Sequence, residues 1–179
     1  MKSKSVIFRI VCDGMLSALF VVLALHLTFR IGNEYKITLD GIPIVIGSFL
    51  FGPIDGMAIG LVGSFLEQVL TYGRTPTTIF WVLPAVCRGL FLGLFKKYVP
   101  IMKIWQFILL TLFSSIIVTA FNTFAMYVDS KLFHYFSYEY LFGTLSIRLV
   151  SGILSGIVYG IVCWLPVRRS LSFSAIFRH

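Results

Sequence analysis

Long apolar runs, broken at intervals by short clusters of polar, glycine and proline residues, dominate this chain. Six runs emerge, at roughly residues 8–29, 39–53, 55–72, 79–98, 104–127 and 142–165; most approach the ~20 residues that a helix needs to cross a bilayer, and the second is short. Between the second and third, Gly52-Pro53-Ile54-Asp55-Gly56 is a turn signal. Pro53 can open the next helix, because its missing N–H would be unpaired there anyway, so the two helices are expected to form a tight hairpin. The pattern predicts an all-α polytopic membrane protein, with six transmembrane helices in one bundle and a single transmembrane domain over residues 1–179.

Composition strengthens this reading. Of the 179 residues 58% are hydrophobic and 12% charged, too apolar for an ordinary soluble domain, and six crossings leave no room for a separate soluble unit. The net charge of +8 is therefore read as loop charge that sets orientation, with no nucleic-acid partner. If the N-terminus is cytoplasmic, that side collects Lys2, Lys4, Arg9, Lys96, Lys97, Lys103, Arg168, Arg169 and Arg178, against Arg30, Lys36, Arg74 and Lys131 outside. The imbalance predicts both termini inside, in a multi-pass membrane protein surrounded by lipid. Met1, Lys2 and Lys4 resemble the start of a signal peptide. The apolar stretch after them is too long and lacks a small-residue cleavage site, so it is expected to stay in the mature protein.

Polar residues inside the runs carry the functional information, since an ionisable group at the bilayer centre costs on the order of 3 kcal/mol. Alternating helix direction brings Glu67, Gln68, Arg88, Asn122, Arg148 and His26 toward one leaflet, with Tyr72, Phe80 and Trp81 at a similar level. This predicts an outward-facing polar cavity in which polar groups orient a ligand beside aromatic faces. Simpler roles stand beside it. Glu67 can pair with Arg88 or Arg148 to hold the bundle together, and Trp81 can be an interfacial anchor. Asp13 is placed to pair with Arg9 four residues earlier, or to meet a partner protein.

The aromatic segment 128–141 is either an interfacial belt or a lid. Glycines four residues apart, such as Gly56 and Gly60 or Gly152 and Gly156, are read mainly as packing faces within the bundle. Gly14 and Ala18 on the first helix, an outer wall, are the candidate face for docking another membrane protein.

Several chemistries are missing. Cys12, Cys87 and Cys163 lie in apolar runs without metal-ligand spacing, so no metal site or disulfide is indicated. No Gly-rich phosphate loop ending in Gly-Lys-Ser or Gly-Lys-Thr occurs, so the chain has no ATPase site of that kind. Gly63-Ser64 has no convincing histidine partner for nucleophilic catalysis: His134 is in a loop, and only His26 is conceivable. The chain is not expected to be an enzyme. A proton-coupled carrier, with Glu67 titrating, is the alternative.

These features together resemble the substrate-binding S component of energy-coupling factor (ECF) vitamin transporters. The most specific stretches are Leu39-Asp40-Gly41-Ile42-Pro43-Ile44, the Phe51-Gly52-Pro53 turn followed by Gly56, Gly60 and Gly63, and Thr71-Tyr72-Gly73-Arg74-Thr75-Pro76-Thr77-Thr78-Ile79-Phe80-Trp81-Val82-Leu83-Pro84 with Arg88-Gly89. The resemblance implies capture of a water-soluble vitamin from outside, then toppling while docked on a transmembrane T component driven by two ATPase subunits. It implies no cofactor of the chain's own, ATP and Mg being used by the partner subunits. In that family a small face on the first helix, often Ala-x-x-x-Ala, meets the T component, and here the pair is Gly14 and Ala18. The segment from Tyr72 to Pro84 looks most like S components for pyridoxine or hydroxymethylpyrimidine-type precursors. As the alternative, the two arginines could serve a carboxylated ligand such as folate or pantothenate by bidentate pairing. If Glu67 neutralises one of them, a small and nearly neutral heterocycle fits better.

Overall fold

The computed structural model of the chain describes residues 2–31 and 35–176, with side chains described for residues 6–27 and 39–170. The first helix, α1, spans Lys2–His26. Two short strands follow, β1 (Thr28–Ile31) and β2 (Tyr35–Thr38), paired antiparallel with Thr28 opposite Thr38 and Ile31 opposite Tyr35. Then come α2 (Gly41–Leu50), α3 (Pro53–Tyr72) and α4 (Thr78–Leu94). A 3-10 helix, Lys96–Ile101, leads into α5 (Ile104–Leu132), the short α6 (Tyr138–Gly143) and the long α7 (Leu145–Ile176).

Two features qualify the predicted architecture. The fold is not purely helical, because the segment after α1 forms the β1–β2 hairpin. Four helical segments are long and apolar enough to cross a membrane, Val6–His26, Pro53–Tyr72, Ile104–Leu132 and Tyr138–Ser170, whereas Gly41–Leu50 and Thr78–Leu94 are shorter. At 1.5 Å per residue the ten residues of α2 rise about 15 Å, half the hydrocarbon thickness. The second predicted crossing is thus a half-length helix, with the hairpin beside α7 between it and α1.

The predicted hairpin of α2 and α3 is present. α2 stops at Leu50, Gly52 takes a left-handed φ of 122° that favours glycine, and Pro53 opens α3. Lys96 Nζ donates to the Phe51 carbonyl at 2.9 Å and ties this turn to the end of α4.

Small residues set the helix spacing, as the packing reading of the glycines has it. α3 and α4 run antiparallel with their backbones almost touching. A Cβ on Gly89 would collide with the Gly56 carbonyl, and one on Gly60 would lie 2.6 Å from the Ala85 carbonyl oxygen. α5 and α7 meet in the same way, with Gly156 against the backbone of Leu112 and Gly152 against Thr119. α1 runs alongside α3, and α2 is enclosed by α1, α3, α4 and α7.

The main core lies toward the end of the bundle where α2 finishes. Val45, Phe49, Leu92, Val99, Phe107, Tyr159, Cys163 and Val167 form one continuous cluster there. A smaller cluster of Phe20, Ala24, Ile44 and Ile59 seals α1 against α2 and α3. Apolar burial is therefore complete in one half of the bundle, and the opposite half is free to hold polar groups.

Candidate ligand-binding cavity

Beyond the main core, the helices enclose a cavity of about 740 Å³. Its lining comes from α1, α2, α3, α4, α5 and α7, with the mouth bounded by the α3–α4 connection and by the segment from Phe133 to Thr144. Glu67, Gln68, Tyr72, Trp81, Arg88, Asn122 and Arg148 all line it. Seven side chains from four helices thus meet in one space, as expected from helix direction. His26 does not. It lies exposed at the end of α1, away from the lining, and its predicted place in the site is corrected.

The floor is the most constrained part. Arg88 is only 7% exposed, and its guanidinium lies 5.0 Å from the centroid of the Tyr159 ring, within reach of a cation–π contact. Gly41, the first residue of α2, leaves the room this arrangement needs, since a Cβ there would run into Arg88 Nη1 and the Tyr159 ring. The Tyr159 hydroxyl points to Asp40 Oδ1 at 3.4 Å. Glu67, 6% exposed, accepts a hydrogen bond from Gln68 Nε2 at 3.2 Å. The expected pairing of Glu67 with Arg88 or Arg148 is not formed: neither arginine makes an ion pair among the described residues.

One wall is rich in hydroxyls. Ser115, Thr119 and Asn122 on α5 face Ser151 and Ser155 on α7, with Gly152 between them. Thr119 donates back to the Ser115 carbonyl at 3.0 Å, the usual way for a threonine to satisfy itself within a helix, while the buried Ser115 Oγ has no partner. The opposite wall carries Phe20, Trp81 and Pro84. The cavity therefore offers polar groups on one side and apolar, partly aromatic surface on the other.

The mouth is held by a hydroxyl network on one carboxylate. Thr75 Oγ1 lies 3.2 Å from Thr77 Oγ1 and 3.0 Å from Thr78 Oγ1, and Thr77 donates to Asp129 Oδ1 at 2.5 Å. The other Asp129 oxygen accepts the Tyr135 hydroxyl. Burial, then the hydrogen bond to Asp129, raise the Tyr135 phenol above its ordinary value.

Arg148 sits at this level. Its Nη1 contacts Met126 Sδ at 3.0 Å and its Nη2 donates to the Leu141 carbonyl at 2.8 Å, so one side chain bridges α5 and α6. Aromatic contacts run through the same segment: Tyr127–Phe136 and Tyr135–Tyr140, each at 5.6 Å, with Lys131 Nζ 4.3 Å from the Phe136 ring. Phe133, Tyr135 and Tyr140 line the cavity, so this segment roofs it as well as presenting an aromatic surface.

Sequence reasoning did not single out Asp40, Asp129 or Tyr159 as site residues. A glycine-flanked acid just before a short helix was the available signal for Asp40. Tyr159, a polar-tipped ring inside an apolar run, offered another.

On the outside of α1, Gly14 and Ala18 are both exposed, and a Cβ on Gly14 would meet nothing within 4 Å. Arg9 pairs with Asp55 on α3, which corrects the expected partnership with Asp13. Asp13 lies beside this pair, with its Oδ1 unpartnered.

The chain is similar to several known proteins. A UPF0397 protein of Streptococcus thermophilus (strain ATCC BAA-491 / LMD-9) is 34% identical over 99 residues, covering 55% of this chain and 53% of that protein. A UPF0397 protein of Streptococcus pneumoniae (strain CGSP14) is 33% identical over 105 residues, covering 58% and 56%. The chain thus spans about half the length of the curated relatives it matches. A solved structure described as the S component of a bacterial ECF transporter superposes with a TM-score of 0.64 over 97% of this chain and 98% of that one, at 22% identity, and shares its fold. The model of the ECF transporter substrate-specific component family matches residues 8–167. The chain belongs to that family of substrate-specific components.

Proposed function

We propose that the chain is the membrane subunit that captures a small water-soluble vitamin or vitamin precursor in the 740 Å³ cavity and delivers it through a partner T component with two ATPase subunits. The observation that carries this reading is the meeting of Glu67, Gln68, Arg88, Asn122 and Arg148 with Tyr72 and Trp81 around one space. Polar groups converging beside aromatic faces orient a compact heterocycle, and the hydroxyl wall of α5 and α7 suits a ligand rich in hydrogen-bonding groups. The cavity faces outward in a bacterial cell membrane, with both termini cytoplasmic. Pyridoxine and hydroxymethylpyrimidine-type compounds are one ligand class under this reading; carboxylated vitamins such as folate or pantothenate are the other.

The exposed Gly14 and Ala18 form the docking face for the T component. All other glycines within α3, α4 and the described part of α7 are used inside the bundle, whereas Gly14 leaves an open notch on an outer wall.

One experiment tests the assignment. The chain is expressed alone and with T and ATPase subunits of an ECF transporter, and uptake of labelled vitamins is followed with and without ATP depletion. Uptake that needs the partners and ATP supports the proposal. Uptake by the isolated chain, driven by a proton gradient and indifferent to the partners, would identify an autonomous carrier instead.

A further inference from the structure

Arg88 is a guanidinium in the floor of the cavity with no anionic partner among the described residues. It is more than nine-tenths buried, and its Nε has no hydrogen-bond acceptor. The Tyr159 ring supports it at 5.0 Å, and the absence of a side chain at Gly41 makes room for it. The guanidinium carries a positive charge, and burial withholds from it the water that would solvate that charge. The ring eases that charge without neutralising it.

The other groups of the cavity do not fill the role. Glu67 receives a hydrogen bond from Gln68, Asp40 takes the Tyr159 hydroxyl, and Asp129 is held by Thr77 and Tyr135. Arg148 differs from Arg88, because its two terminal nitrogens are engaged by Met126 and Leu141. It stands three helical turns before Tyr159 on α7, about 16 Å along the axis, at the roof.

We propose that the ligand is a carboxylic acid, bound as its anion with the carboxylate seated on Arg88 at the cavity floor. This rests on the reading of the cavity as the ligand site. Asp40 and Glu67 line the same floor, so a phosphate ester, carrying close to two charges at neutral pH, meets repulsion that a monoanion largely escapes. A guanidinium and a carboxylate also match in planar geometry.

The test uses the full chain, purified in lipid nanodiscs and incubated with the small-molecule fraction of yeast extract. After washing, retained compounds are released and identified by mass spectrometry, and the captured compound and its primary amide are compared by calorimetry. A carboxylic acid is expected, held at least about 100-fold more tightly than its amide. Arg88→Gln should abolish that preference and bring acid and amide to similar affinity, while Arg88→Lys keeps part of it. The amide serves as the folding control for both variants, since it does not depend on the charge.

Retention of a neutral or phosphorylated compound overturns the proposal and leaves the cavity as a ligand site. So does an acid whose preference over its amide survives in Arg88→Gln. Failure of the wild type to enrich any compound rejects the cavity as a ligand site, and this proposal with it.

Discussion

Thr77 Oγ1 donates to Asp129 Oδ1 at 2.5 Å, joining the start of α4 to the end of α5 across 52 residues of sequence. Thr77 is 1% exposed, so this bond is shielded from the water that would compete for it. It fastens the two sides of the cavity mouth, and Tyr135 extends the fastening to the roof. Asp129→Ala should speed ligand release about 10-fold, the size expected for losing a hydrogen bond to a charged acceptor. Thr77→Val should act similarly, and the double variant should add little, because both changes break the same bond. Off-rates measured by ligand displacement check this; additive effects would show that the two residues act separately.

The same network gives a pH dependence. The raised affinity of the Tyr135 phenol for its proton means that its contribution is complete below the ordinary tyrosine pKa of about 10 and is lost as pH rises through the raised value. Ligand retention should therefore fall at the alkaline end in the wild type. Tyr135→Phe should lack that alkaline step while showing faster release at neutral pH.

Arg148 bridges Met126 on α5 and Leu141 on α6. Arg148→Ala should loosen α6 while leaving the helices beneath it intact. Hydrogen exchange in residues 138–143 is expected to accelerate, with that of 85–95 unchanged. Ligand release should quicken by a similar factor to that of Asp129→Ala, since both open the roof.

Glycines in this chain divide sharply by position. Gly89→Ala places a Cβ against the Gly56 carbonyl, where backbone and not a flexible side chain must give way. It should cost about 1–3 kcal/mol and lower the thermal unfolding temperature in detergent. Gly14→Ala meets open space and should stay within about 0.5 kcal/mol of wild type.

A bulkier change at the same site separates capture from delivery. Gly14→Leu should leave ligand affinity unchanged, because α1 meets the cavity from its other side through Phe20. It should abolish partner-dependent uptake and co-purification with the T component. Loss of both activities together would show that the notch supports the fold and not the docking.

Much of this was legible in the sequence, and the reasons are specific. Helix direction alone brought Glu67, Arg88, Asn122 and Arg148 to the lining of one cavity, with Arg88 at its floor and Arg148 at its roof, because an apolar run long enough to cross must place its polar residues at a calculable level. The Pro53 start of α3 followed from local stereochemistry. What escaped depended on distant neighbours. The strands Thr28–Ile31 and Tyr35–Thr38 are an exception, with partners close in sequence, but the apolar run of α1 hid their start. Asp129 falls in the predicted outer segment 128–141, whereas α5 continues beyond the apolar run to Leu132. Arg9 chose Asp55, 46 residues away, over its helical neighbour Asp13. Tyr159 counted as one more apolar residue until Gly41, far off in sequence, made space for Arg88 against its ring.

The tight cluster of Phe49, Leu92, Phe107 and Cys163 beneath Arg88 and Tyr159 has a final consequence. It makes the binding site a cul-de-sac. A solute that enters past Thr77 and Tyr135 finds no second exit through the described residues, so no rearrangement of the roof alone can carry it across. If the chain transports its ligand as proposed, translocation must move the container with its contents, and a chain held upright in the bilayer by a rigid tether should fill once and never turn over.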